Sequence, residues 1–211
     1  MKLYEFGPTR SIRARWILQE LGVDFEAVTV NLAAGEHRRA AFLAVNPAGK
    51  VPVLVDGELI LNESVAIVVY LAEKYPERGF MPAEPRLRAE VYRWMLFAAT
   101  ELEQPLWRIA KHTTLYPQQD RLPADVELAR RDFLPMAAVL ESHMQGRTYL
   151  TGNRVTAADF VTAYTLDWAG EAQLLGDFPL LRAYTERMYA RPQAPGRIAD
   201  IFRALRSGAA A

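Results

Sequence analysis

The chain has 211 residues, 51% hydrophobic and 24% charged, a balance that suits folded domains and argues against disorder. Its 25 Lys+Arg offset 25 Asp+Glu, so the basic excess of a nucleic-acid binder is absent. No charge-free apolar run reaches about 18 residues, which argues against a membrane span, and MKLYEFGPTRSIRARW lacks the apolar core of a signal peptide, so a cytoplasmic protein is expected. There is no cysteine, hence no disulfide, no Cys-ligated zinc and no protein thiol nucleophile. The three histidines, His37, His112 and His143, share no metal-binding spacing. If the protein is an enzyme, its reactive group arrives with the substrate.

Lys2 to Phe6 reads as a short strand stopped by Gly7 and Pro8. Ile12, Ile17, Leu18 and Leu21 then fall at helical spacing, up to Gly22 as a left-handed cap. Phe25 to Val30 is a second strand, so the first 30 residues form a β-α-β crossover. Val51 to Val55 is a third strand, Asp56-Gly57 a hairpin turn, and Glu58 to Leu61 the returning strand. Val65 to Tyr75 is helical and ends at Pro76. Residues 79–85 have linker composition. Beyond them no strand is expected: helical patterns cover Arg86 to Leu115, bent at Pro105; Ala124 to Met144, bent or broken at Pro135; Thr156 to Leu174; Pro179 to Ala190; and Ile198 to Leu205. Gly208 to Ala211 should fray. The expected architecture is an α/β module over residues 1–80 and an all-α module over 86–211, joined by 81–85. His112 and His143 read as surface or satisfied helix residues.

Three features could carry chemistry. Pro52 begins a strand without an N–H; a cis Val51-Pro52 bond would turn the Val51 backbone outward, where an extended peptide could pair with it. Asn62-Glu63-Ser64 opens a helix, either as a plain cap or as a site for an α-amino-acid head group, with N–H donors and the Ser64 hydroxyl for the carboxylate and Glu63 for the amine. The loop Gly7 to Ser11 opens the first helix, again either as a cap or as an anion site. A free thiol with pKa near 8.5 is only about 3% ionised at pH 7, and lowering it by one unit gives roughly a quarter. An exposed helix terminus supplies about 0.3–1 kcal/mol, whereas a hydrogen bond to a charged group is worth about 1.5–3 kcal/mol, so a hydroxyl or amide donor would be the larger influence on a substrate thiolate. Ser11 and Thr9 are the candidates, with Arg10 as charge partner.

These residues, in this order, resemble the cytosolic glutathione transferase family over essentially the whole chain, with bacterial beta-, theta- and nu-like classes all open. The segment Asn46-Pro47-Ala48-Gly49-Lys50-Val51-Pro52-Val53-Leu54 is similar to the family's N-P-x-x-K/x-V-P-x-L stretch, whose proline is cis. Glu63-Ser64-Val65-Ala66-Ile67 resembles its E-S-x-A-I motif, Thr156-Ala157-Ala158-Asp159 its S/T-x-x-D capping box, and Arg191-Pro192 its late R-P. The resemblance implies a thioredoxin-like first domain (βαβ–ββα) followed by an all-helical one, with glutathione as co-substrate and no metal. It implies that Val51 pairs with the cysteinyl part, Glu63 and Ser64 hold the γ-glutamyl group, and His37 and Lys50 approach the glycyl carboxylate. Thr100-Glu101-Leu102 resembles a beta-class T-E-L in which Glu101 would reach across a homodimer, or else it is an exposed helix charge. A pocket for the electrophile would lie between the modules, with Trp94, Phe97, Trp107, Ile109, Tyr116 and Trp168 as candidates.

The departures concern the activator. Arg10 stands where beta-class members have cysteine, Pro8 where a zeta-class serine falls, and Glu103-Gln104 where the beta class has His-Lys. Tyr4 lies inside the first strand, away from the position of the tyrosine-type classes. The activator is therefore open among Ser11, Thr9 and backbone N–H groups. The leading expectation is conjugation of glutathione to a small, moderately apolar electrophile. The alternatives are a glutathione-dependent disulfide reductase or lyase, or a non-catalytic binding module of the same fold.

Overall fold

The computed structural model describes residues 1–207; the terminal segment expected to fray lies outside the described residues. Packing divides the chain into two units, Met1–Met81 together with the chain from Arg191 onward, and Pro82–Ala190. The last segment thus packs with the α/β unit, although the sequence pattern joined it to the helical one.

The first unit is built from β1 (Lys2–Glu5), α1 (Ser11–Leu21), β2 (Glu26–Thr29), α2 (Ala40–Leu43), β3 (Val53–Asp56), β4 (Leu59–Asn62) and α3 (Ser64–Lys74). The sheet order is β2-β1-β3-β4; β1 and β2 are parallel, and the β1–β3 and β3–β4 pairs are antiparallel. The β-α-β crossover and the hairpin both form as expected, with Gly57 at φ 61° in the turn. Helix α2, only four residues long, was not expected. Period-two alternation sorts the two faces. Leu3 and Leu54, paired across strands, are fully buried on the face that also buries Ile17, Leu18, Ile67 and Leu71 of α1 and α3. Tyr4 and Val53, also paired, pack on the opposite face with Val30 and Phe42.

The second unit contains α4 (Pro85–Phe97), α5 (Glu103–Ala110), α6 (Pro123–His143), α7 (Ala157–Glu171) and α8 (Pro179–Tyr189); α9 (Ile198–Arg206) belongs to the first. Between Pro85 and Leu115 the chain stays helical, but π-helical turns at Ala98–Leu102 and Lys111–Leu115 flank α5. Pro105 has no N–H to offer the preceding turn, and the first wide turn accommodates it. In α6, by contrast, Pro135 does not break the helix, which runs for 21 residues. Starts are well marked. Glu84 accepts the Arg86 and Leu87 N–H groups at 2.9 and 2.8 Å. Glu141 of α6 accepts those of Leu180 and Leu181 at the start of α8, both at 2.9 Å.

Helix α7 is buried along most of its length. Its capping box is formed as the motif implied, and Asp159 does more than cap. Its carboxylate, fully buried, accepts the Thr156 N–H at 2.7 Å, the Leu150 N–H at 3.1 Å and the Tyr184 hydroxyl at 2.9 Å. Burial pushes its pKa up against those donors, and the same burial raises that of Tyr184. Asp159→Ala strands these donors in a dry site and should lower unfolding free energy by about 3 kcal/mol or more, measurable by urea titration.

His143 stacks on the buried Trp94 ring, centroids 4.0 Å apart, with Nε2 2.7 Å from the Leu150 carbonyl. Burial, more than the neighbouring Arg147 and Arg93, lowers its pKa below the ordinary value. The unfolded chain therefore takes up the proton first as pH falls. Stability should fall as pH drops through and below the ordinary histidine value of about 6.5, and His143→Gln should flatten that part of the pH–stability profile.

Candidate functional site

The register brings three loops to one end of the sheet. Tyr4 pairs with Val53, and Val53 pairs with Asn62. The loop leaving β1, the segment entering β3 and the turn leaving β4 therefore meet at the same edge, and these loops carry most of the candidate residues.

The Val51-Pro52 bond is cis, as the resemblance implied. Pro52 is buried, Val51 is half-buried and Lys50 is exposed. Asn46, 2% exposed, shapes this segment. Its amide donates to the Lys50 carbonyl at 2.7 Å, while its oxygen accepts the Ala48 N–H at 3.1 Å and the Asn62 amide at 3.3 Å. Gly49 adopts φ 62°, and a Cβ there would come 2.9 Å from the His37 carbonyl oxygen. Only glycine meets both conditions. The contact sets His37 beside the Gly49–Lys50 turn, and Arg38 Nε donates to its Nε2 at 3.2 Å.

Helix α3 begins at Ser64, and Glu63 precedes it at φ 67°, ψ 110° without a side-chain cap. A non-glycine residue in that region carries strain of order 1–3 kcal/mol, a feature that clusters at functional sites. Ile67 N–H is the first to find an intrahelical carbonyl, that of Glu63 at 3.0 Å. The N–H groups of Ser64, Val65 and Ala66 are the leading donors of the helix, aligned with its positive end. Ser64 is 5% exposed, and its Oγ accepts from Arg13 Nη1 at 3.2 Å. The hydroxyl proton is thereby left to donate elsewhere.

Arg13 was missed in the sequence. It is 1% exposed and occupies a buried position on α1 beside Ile17, where helical periodicity calls for an apolar residue. A charge at such a position was the available signal.

The loop from Gly7 to Ser11 differs from the start of α3. Here the donors of the helix are already used: Ser11 N–H to Thr9 Oγ1 at 3.2 Å, Ile12 N–H to the Thr9 carbonyl at 3.0 Å, and Arg13 N–H to the Arg10 carbonyl at 3.2 Å. Thr9 Oγ1 lies 2.5 Å from the Phe6 carbonyl and 2.9 Å from Ser11 Oγ, which also accepts the Phe6 N–H at 3.3 Å. Two hydroxyls have two protons. If Thr9 donates to Phe6, only the Ser11 proton can turn outward; if Thr9 donates to Ser11, the Phe6 carbonyl loses its partner. Ser11 is 2% exposed, while Thr9 and Arg10 are half-buried. The Gly7-Pro8 bond is also cis, which the sequence reading did not anticipate.

Glu101 lies in the second unit, exposed on the first π-helical turn, with the Thr100 hydroxyl 3.3 Å from its carboxylate. The aromatic candidates of that unit divide. Trp94 and Ile109 are buried, whereas Trp107 and Trp168 are half-buried and meet edge to face at 6.3 Å. His112 accepts the Leu122 N–H at 3.2 Å, a satisfied helix residue as expected.

Comparison with known proteins identifies the family. The family model described as the glutathione S-transferase N-terminal domain matches residues 1–73, and that of the C-terminal domain matches residues 105–192. Glutathione S-transferase F10 of Arabidopsis thaliana is 34% identical over 190 residues, covering 86% of this chain and 88% of its own. Glutathione S-transferase GST-4.5 of Xanthomonas campestris is 33% identical, covering 90% and 93%. The theta-class enzyme of Xanthomonas axonopodis pv. citri, solved with glutathione bound, superposes with a TM-score of 0.81 at 27% identity over 93% of this chain and 96% of that one. The chain belongs to the glutathione S-transferase family.

Proposed function

We propose that this protein is a glutathione transferase that binds glutathione at the converging loops, favours its thiolate and joins the sulfur to a small, moderately apolar electrophile. One observation carries the reading: the start of α3 has leading N–H donors and a buried Arg13 behind its hydroxyl, at the sheet end that also bears the cis Val51-Pro52 bond. That arrangement suits a carboxylate, and the exposed Glu63 suits the ammonium of the same head group. The γ-glutamyl end is assigned to Glu63 and Ser64, the cysteinyl backbone to Val51 beside Pro52, and the glycyl carboxylate to Lys50 and His37. The thiol is assigned to the loop of Thr9, Arg10 and Ser11. Support comes from relatives solved with glutathione or a derivative, including the theta-class enzyme above and a glutathione S-transferase-I bound with lactoylglutathione, 27% identical with a TM-score of 0.77. A cytoplasmic homodimer, with Glu101 reaching the partner's glutathione and detoxification as its role, completes the proposal.

In the chemical step the sulfur lone pair forms the new bond to carbon, the leaving group departs with its electron pair, and the thiol proton passes to water. The protein contributes position and the stability of the thiolate. Because Thr9 and Ser11 already share their protons, a hydrogen bond to sulfur replaces an internal one, and its net effect is the difference between the two.

Ser64→Ala and Arg13→Met should each weaken glutathione binding by about tenfold or more by calorimetry. Ser11→Ala should lower turnover and raise the bound thiol pKa with little change in affinity. If Thr9→Val does so instead, Thr9 is the donor. Absence of binding heat with the unaltered protein would sink the reading; aryl halide, disulfide and epoxide substrates then separate conjugation from reduction.

A further inference from the structure

Arg191 brings the chain back to the first unit. Its guanidinium donates to Glu20 Oε1 at 2.6 Å and to Oε2 at 2.7 Å, and the same carboxylate lies 3.3 Å from the Trp16 indole nitrogen. The Glu20 side chain is 7% exposed. A two-pronged pair of this kind fixes direction as well as distance. The tail then comes beside the loop described above: Ala194 to Gly196 and Ile201 line a cavity of about 390 Å³ together with Gly7, Ser11 and Arg15.

The closest approach is between Ile201 and Gly7. A Cβ on Gly7 would lie 2.9 Å from Ile201 Cγ2, nearer than carbon atoms tolerate. On the other side, a Cβ on Gly196 would lie 3.4 Å from Ile201 Cγ1. Gly7 does not adopt the positive φ seen at Gly22, Gly35 and Gly49, so what it supplies is space. Close-packed contacts transmit displacement because they have little room to compress. Gly7 also stands two residues before Thr9, whose hydroxyl organises the thiol-facing loop.

We propose that α9 positions that loop: Ile201, seated against Gly7 and held in place through the Arg191–Glu20 pair, sets the geometry of the Thr9–Ser11 hydroxyl pair. Ile201 and Gly7 are positioning residues and form no part of the head-group site at Ser64. This extends the glutathione reading and rests on it.

The test is a double-mutant cycle of Gly7→Ala and Ile201→Ala. Gly7→Ala drives a methyl into Ile201 and should displace the loop, raising the bound thiol pKa by about one unit, up to about a tenfold loss of thiolate at neutral pH. Glutathione affinity should stay within about threefold. Adding Ile201→Ala makes room for the methyl and should restore the thiol pKa, a non-additive result. A readout without glutathione runs in parallel. Amide exchange at Phe6 and Ser11, whose N–H groups bond the loop hydroxyls, should quicken in each single variant and slow again in the pair. Additive effects on both measures would overturn the proposal. Should Gly7→Ala fail to fold, the series Ile201→Val and Ile201→Ala decides, since unchanged exchange at Phe6 and Ser11 would equally overturn it. A protein that binds no glutathione defeats the functional reading, whereas the exchange cycle alone still reports whether α9 holds the loop.

Discussion

Arg13 is 1% exposed, and a guanidinium removed that far from water is tolerated only where its surroundings answer it. One answer is the Ser64 hydroxyl at the start of α3. The hydrogen bond spans 51 positions in the chain, from the first helix of the unit to the last helix before the linker. It also orients the hydroxyl: an oxygen that accepts from below directs its proton away. The open helix start thus acquires a fixed donor and a nearby positive charge, and its placement depends on α1 and α3 sharing one face of the sheet.

The two helix starts of this unit illustrate how similar sequences diverge in role. Thr9-Arg10-Ser11 and Asn62-Glu63-Ser64 both read as caps, with polar residues ahead of an apolar run. In the first, Thr9 turns back and closes the loop on itself, so its groups form a self-contained network. In the second, Glu63 sits at positive φ, and no side chain caps the backbone donors of the helix. The difference is one of backbone conformation, and residue identity alone does not reveal it.

The order of strands and helices was legible because short alternating runs and turn signals such as Asp56-Gly57 act locally. The capping box was legible for the same reason: Thr156 and Asp159 stand three residues apart and complete their bonds within one turn. The cis Val51-Pro52 bond could be inferred only through the resemblance. Arg13 escaped notice because its partner Ser64 lies far off in sequence, as does Asn62, the one distant partner of Asn46. The allegiance of α9 escaped because an amphipathic helix shows that it will pack but not against which surface. Pro135 does not break α6 because its lost hydrogen bond falls on an exposed side of the helix, where water can replace the partner.

The two π-helical turns have a consequence for the long helical stretch from Pro85 to Leu115. A wide turn holds more residues than an ordinary one, so each offsets the angular phase of everything after it by a fraction of a revolution; one residue corresponds to about 100°. Trp107, which follows the first such turn, therefore stands at a different angle to Trp94 from the one an uninterrupted helix would give, although both lie on what reads as one continuous rod. Evolution can redirect the Trp107 ring of α5 by gaining or losing a single residue in the first of these turns, leaving the rod itself, and the sheet in the other unit, unaltered.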